Sequence, residues 1–313
     1  MIKKYVYHYC SVNTFYAIIS NQTIRLSDVS KSNDSLEILW IVSFIKDVIG
    51  QQYNCLNENI KRIISMGYYN QKIDEKVKLY FEQDELKNKF YFICFSESES
   101  RNFLSQWRGY GDNGNGVAIG ISEYVLNKIK DSVQKYEYDL EESYILYDKV
   151  IYDSEEQKER IKESVQYFWE KLNQEFYQNE ETRNKDDLIK IAFEEILLKC
   201  FSKLYQEALF MKNPFFAEEN ESRLVMYVGE DLNKERKRDF SISDKKYYIR
   251  DNQIVSYYEI EFGKSVELKR RLLGEIVLGP KNRMDSSTVM SFLNANGFGL
   301  KKEKIRKSQG SYR

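Results

Sequence analysis

Along this chain the hydrophobic period of two and the hydrophobic period of 3.6 are sorted, not interleaved. Residues 3–9 alternate and are β-rich, which reads as a strand. Ser11 then offers an N-cap to a short helix whose apolar face is Val12, Phe15, Ile18 and Ile19. Residues 23–26 read as a second short strand. Helical spacing runs with breaks over 36–86, and returns, long and charged, over 154–212. Between these stretches, residues 90–95 form a nearly continuous apolar run, the pattern of a buried central strand. Residues 117–121 and 144–152 are also strand-like. After Pro214 strand patterns recur at 222–228, 247–249, 254–262 and 276–278, before a helix over 286–296 and a short strand near Ile305. Strands toward both ends with helices in the middle define an α+β fold, with no regular βαβ alternation. Two prolines and no low-complexity linker favour a single domain over residues 1–313 with helical insertions at approximately 36–88 and 154–212.

Composition removes several function classes. No apolar run approaches the ~20 residues that span a bilayer, and Met1-Ile2-Lys3-Lys4 has no apolar segment or cleavage site behind it. Cytoplasmic residence with no membrane partner is the expectation. The four cysteines are scattered without a CxxC, and His8 is the only histidine, so neither a disulfide framework nor a structural zinc site is supported. Cys10 and Cys94 sit at apolar strand segments and read as buried free thiols. A formal net charge of −1 gives no global field for nucleic acid. The basic runs at 234–238 and 301–307 read as solvated surface, diluted by acidic neighbours.

Three constellations could carry chemistry. Gly109-Tyr110-Gly111-Asp112-Asn113-Gly114 matches GxGxxG, but a dinucleotide loop needs a strand before it and a helix after it. Here the order is reversed, so a tight loop with positive-φ glycines is expected. Glu218-Glu219-Asn220-Glu221-Ser222-Arg223 leads into a strand, and in an extended segment Glu219, Glu221 and Arg223 share one face. They form either a strand-edge ion pair or a carboxylate held beside an arginine to grip a substrate hydroxyl or a developing cation. His8 is the third, and a lone histidine excludes HExxH and other two-histidine sites. Arg25 and Asn33-Asp34 are polar groups flanking the same N-terminal unit.

Taken together, the segments resemble the bacterial DUF2971 family. The resemblance runs through Tyr7-His8-Tyr9, Ile24-Arg25-Leu26-Ser27-Asp28, Asn33-Asp34-Ser35-Leu36-Glu37 and Cys94-Phe95-Ser96-Glu97. It continues through Trp107, Tyr110, Gly116, Glu218–Arg223, Gly279-Pro280 and the tail from Ile305 to Arg313. Ser35 stands where the family usually has Pro, and Asn220 and Ser222 replace its usual Arg and Trp. A second resemblance is to the start of ADP-ribosyltransferase folds: a strand bearing His, then a helix, then a short strand ending in a polar loop. It implies a mixed, mainly antiparallel sheet core. It also implies NAD as substrate, with His8 on a ribose, Tyr110 or Tyr9 against nicotinamide and Glu221 catalytic with Glu219. Ser96 resembles the strand serine of some branches; Arg25 and Arg223 are the remaining candidate cofactor-binding residues. The implied activity is that of a toxin-like or antiphage effector, an ADP-ribosyltransferase or NAD glycohydrolase that passes ADP-ribose without a metal to a protein, a nucleic acid or water, as monomer or homodimer and with a defence-system partner as a further expectation.

This reading requires His8 and Glu221, far apart in sequence, to face one cleft with aromatics between them, and side chains on opposite sides of the sheet count against it. Tyr7 and Tyr9 share the strand face opposite His8, which makes Tyr110 the first choice for the stacking ring. The rival readings are a non-catalytic nucleotide or phage-ligand sensor and a nucleic-acid-acting enzyme.

Overall fold

The computed structural model describes residues 4–31, 38–82, 89–97, 104–132, 142–178, 185–229, 239–250, 252–263 and 265–309. Its frame is an open, mostly antiparallel sheet of eleven strands among the described residues, with helices on both faces. The first unit is β1 (Tyr5–Cys10), α1 (Val12–Asn21) and β2 (Thr23–Asp28). The Ser11 side chain accepts from the Thr14 N–H, as an N-cap should, and Phe15 and Ile19 turn inward. Helices α2 (Ile38–Gln52), α3 (Glu58–Ile63) and α4 (Met66–Val77) follow. The apolar run becomes β3 (Phe90–Ser96). Then come α5 (Leu104–Gly109), β4 (Val117–Ser122), α6 (Glu123–Ser132) and β5 (Tyr144–Lys149).

Two long helices, α7 (Ser154–Gln178) and α8 (Asp186–Ala208), precede β6 (Glu221–Tyr227). The chain ends with β7 (Ser241–Ile242), β8 (Lys246–Arg250), β9 (Gln253–Glu261), α9 (Val266–Leu272), β10 (Leu273–Leu278), α10 (Ser286–Ala295) and β11 (Ile305–Lys307). The α+β order is therefore as the periodicity implied. Helix α6 and helix α9 were not anticipated; both are short and pack one apolar face on the sheet.

Strand β3 organises the sheet. Along one edge it pairs with β6 over its whole length, from Phe90↔Tyr227 to Ser96↔Glu221. The other edge is shared. Its start pairs with β2 at Ser27↔Phe92 and Asp28↔Tyr91, while its end pairs with β1 at Tyr7↔Ser96. Between those contacts β1 and β2 part, leaving a slot beside residues 93–95 that α1 bridges. Away from the slot, β1 continues to β4, β10 and β11, and β2 continues to β9 with β8 and β7. The sheet is thus two wings hinged on one strand.

Each face has its own core. On one side Val6, Cys10, Phe95, Ile119 and Ile276 pack under α1, α6, α9 and α10. On the other, Phe90, Tyr144, Val225 and Tyr227 meet α7 and α8, against which α2–α4 are laid. The buried residues of α8 wrap nearly all round its C-terminal half, as expected of a helix inside a layer.

Candidate functional site

The slot opens into a cavity of about 600 Å³. His8, Tyr9, Arg25, Ser96, Tyr110 and Glu221 all line it. Register explains most of this convergence. Tyr7, Ser96 and Glu221 lie side by side across β1, β3 and β6, so their side chains share one face. Tyr9 follows on that face by alternation, and Arg25 joins it through β2, because Ser27 pairs with Phe92. His8 belongs by alternation to the opposite face, among the α1-side residues. It lines the cavity from that side through the slot, so His8 and Glu221 meet one cavity while leaving opposite faces of the sheet, and the expectation of a shared face is not met.

The His8 ring occupies the place a ladder hydrogen bond would have taken. Its Nδ1 lies 3.2 Å from the Cys94 carbonyl oxygen, and the ring meets Phe95 edge-on at 6.2 Å. A carbonyl can only accept, so Nδ1 carries the proton and neutral Nε2 is left as an acceptor. Burial lowers the His8 pKa, only partly opposed by the Cys94 carbonyl, which keeps the ring neutral at physiological pH. Cys94 is half-buried at the cavity wall, not fully buried as its apolar run implied.

The acidic end is more elaborate than the sequence showed. Glu219 does not lie on the strand: it ends a 3-10 turn over Pro214–Glu219, and Asn220, in the left-handed region at φ 43°, bends the chain into β6. The three charged groups nonetheless meet, through Lys212. This lysine is 1% exposed, ion-paired with Glu219 and 3.6 Å from Glu221. Its backbone is fixed by Ile151 and by the buried Gln157 amide. Arg223 donates from Nε and Nη2 to one Glu221 oxygen at 3.2 and 3.0 Å, and from Nη1 to the Leu209 carbonyl at 2.8 Å. Arg223 and Glu219 therefore stand behind Glu221 and are not among the cavity-lining residues.

Burial works against ionising Glu221, but Arg223 and Lys212 outweigh it and hold its carboxyl below the usual range. Glu219 is pushed the other way, by burial and by the Glu221 charge against the pull of Lys212. The two carboxyls are thus driven in opposite directions, Glu221 down and Glu219 up. Tyr110 donates to Glu219 at 3.0 Å, with its ring half exposed at the rim. Burial and the two glutamates raise its phenol pKa, so it remains a donor.

The glycine-rich loop positions Tyr110 but not by the expected means. Its left-handed residues are Asp112, Asn113 and Gly114. Gly111 and Gly116 are needed instead for close approach, since a Cβ there would lie 2.5 Å from the Trp107 ring and 2.2 Å from the Cys10 carbonyl. Asn282 braces the loop by donating to the Asn115 and Gly116 carbonyls at 2.6 and 2.9 Å.

Sequence reading missed Lys212 and Gln106. Buried Gln106 lines the cavity, donates to the Glu219 carbonyl at 3.3 Å, and accepts from Tyr110 and Gly111. The one local cue was Lys212 itself, a single charge closing the apolar run Ala208-Leu209-Phe210-Met211. Asn33-Asp34, Ser35 and the basic run 234–238 lie outside the described residues.

Fold and site define an α+β protein with a split, mostly antiparallel sheet and a polar cavity at the split. Residues 106–224 match the model of the family described as "Protein of unknown function (DUF2971)", a stretch that includes Tyr110 and the acidic run Glu218–Arg223. No curated protein and no solved structure matches the chain. Among the described residues no helix is long and apolar enough to cross a membrane.

Proposed function

We propose that the protein is an NAD-consuming enzyme of the ADP-ribosyltransferase type, cleaving the nicotinamide–ribose bond and passing ADP-ribose to a macromolecular target. The observation that carries this is the joint placement of a neutral His8 and an ionised Glu221 on one cavity. When the glycosidic bond breaks, its electron pair goes to the nicotinamide nitrogen and positive charge develops on the ribose. A fixed carboxylate at that point stabilises the cation more than the ground state. Glu221 is suited to this because Arg223 and Lys212 keep it ionised and immobile. The nucleophile's oxygen then bonds to the anomeric carbon, and its proton passes to the carboxylate pair. His8 Nε2 accepts from a ribose hydroxyl, and Tyr110 supplies an aromatic wall beside the leaving group.

The test is NAD turnover and target labelling by wild type, Glu221→Gln and His8→Ala. Loss of turnover in Glu221→Gln with NAD binding retained supports the proposal; a wild type that neither binds nor consumes NAD sinks it. A non-catalytic nucleotide sensor is the second reading, favoured by the firm ion-pairing of Glu221 to Arg223 and Lys212. It requires bound NAD to survive incubation unchanged.

A further inference from the structure

The end of the cavity away from Glu221 is built around Arg25. Its guanidinium lies over the Tyr257 ring at 4.0 Å and near the Tyr248 ring at 4.9 Å. Two aromatic faces thus hold it flat and limit its rotamers. Its nearest counter-ion is Glu259, whose carboxylate comes only to 4.0 Å and is engaged by Lys246 at 2.7 Å. Among the described residues no hydrogen bond uses the Arg25 donors. An arginine oriented by two rings, on a cavity wall and with its fork unused, is arranged to take a planar or tetrahedral anion bidentately. Arg250 also lines the cavity, where it donates to the Lys31 carbonyl, and adds positive charge to the wall.

Arg25 and Glu221 line the same cavity from opposite sides of β3. Extending the Ser27↔Phe92 register places Arg25 level with Cys94, while Glu221 is level with Ser96, on the other side of β3. With strands ~4.8 Å apart and a rise of ~3.4 Å per residue, a continuous sheet would put the two Cα atoms roughly 12 Å apart, and the parting of β2 from β3 beyond Ser27↔Phe92 makes that a minimum. One ribose and one phosphoester linkage separate a reacting anomeric carbon from a diphosphate, so the substrate has to cross the slot from Glu221 to a guanidinium that leans to the β8–β9 side over Tyr248 and Tyr257.

We infer that Arg25, clamped between Tyr248 and Tyr257 and supported by Arg250, is a phosphate-binding subsite that anchors the diphosphate of a dinucleotide and aims its glycosidic bond at Glu221. The inference rests on the NAD reading for its orientation, but the subsite is testable alone. Wild type, Arg25→Gln, Arg25→Lys and Arg250→Gln are titrated calorimetrically with ADP-ribose, NAD and nicotinamide riboside, the last lacking phosphate. Arg25→Gln is expected to weaken ADP-ribose and NAD about tenfold or more while leaving nicotinamide riboside unchanged. Arg25→Lys should restore only part of the loss, because lysine keeps the charge but not the fork. A thermal midpoint equal to wild type checks the fold of each variant. Equal ADP-ribose affinity in wild type and Arg25→Gln overturns the subsite, as does a wild type that binds no ADP-ribose. If ADP-ribose binding depends on Arg25 but NAD is never consumed, the subsite stands and the enzymatic reading falls.

Discussion

At the residue scale the site depends on how three buried charges and the partly buried Glu219 share their environment. Lys212 is the group that both carboxylates use, so replacing it separates their roles. Lys212→Met should cost about 1–3 kcal/mol in denaturant unfolding, because the partly buried Glu219 loses its cation while Glu221 keeps Arg223. Adding Glu219→Gln should recover part of that loss. The same lysine change removes one of the two charges that depress the Glu221 pKa. The acid limb of the turnover–pH profile should therefore move to higher pH, a shift that a purely structural lysine would not produce. Glu221→Gln is expected to lower kcat at least 100-fold with a small change in KM, measured as nicotinamide release. His8 and Glu221 could be singled out in the sequence because their residue types are informative on their own: one imidazole in 313 residues, and an acidic run entering a strand. Lys212 and Gln106 could not, since their importance lies in contacts through space. A lysine ending a helical stretch reads as solvated until the fold encloses it.

At the element scale, the strand and helix types were legible wherever one hydrophobic period persisted, as along α7, β3 and β9. Legibility failed where a single backbone angle changed the geometry. Glu219, Glu221 and Arg223 looked like one strand face, yet the left-handed Asn220 ends a turn there and starts the strand at Glu221. Likewise, the glycines of the 109–114 loop suggested positive φ, which holds at Gly114 alone of the three, whereas Gly111 is fixed by the Trp107 ring and a Cβ on helical Gly109 would meet open space. That loop carries Tyr110, so its bracing has functional weight. Asn282 is buried and donates to two carbonyls of the loop. Asn282→Ala should cost about 1–3 kcal/mol, since it leaves buried acceptors unpaired. It should also raise KM for NAD more than it lowers kcat, because Tyr110 would be less well placed while Glu221 stays where it is. Parallel thermal melts and steady-state kinetics distinguish these effects.

At the scale of the whole molecule, the decisive feature is the parting of β1 and β2 over a single strand, and nothing in the periodicity announced it. Which edges pair depends on long-range register, and the apolar pattern of β3 would serve a continuous sheet equally well. The split also accounts for His8, whose ring bonds the Cys94 carbonyl where strand pairing stops. This placement ties global stability to pH. In the folded chain the His8 pKa lies below 6.5, while in the unfolded chain it returns to about 6.5, so the unfolded state binds the proton first. His8 therefore contributes stability that is fully present above pH 6.5 and declines as pH falls toward the folded pKa. Glu219 contributes with the opposite sign, because its folded pKa is raised above the unfolded carboxylate value and acidification from neutral pH favours the folded state at that residue. The two are separated by melting wild type, His8→Gln, Glu219→Gln and the double variant between pH 7.5 and 5. Wild type should lose more stability on acidification than His8→Gln does, and Glu219→Gln should make the decline steeper. If His8→Gln and wild type fall in parallel across this range, His8 does not sit neutral in the slot and its proposed role as a hydrogen-bond acceptor for ribose is lost with it.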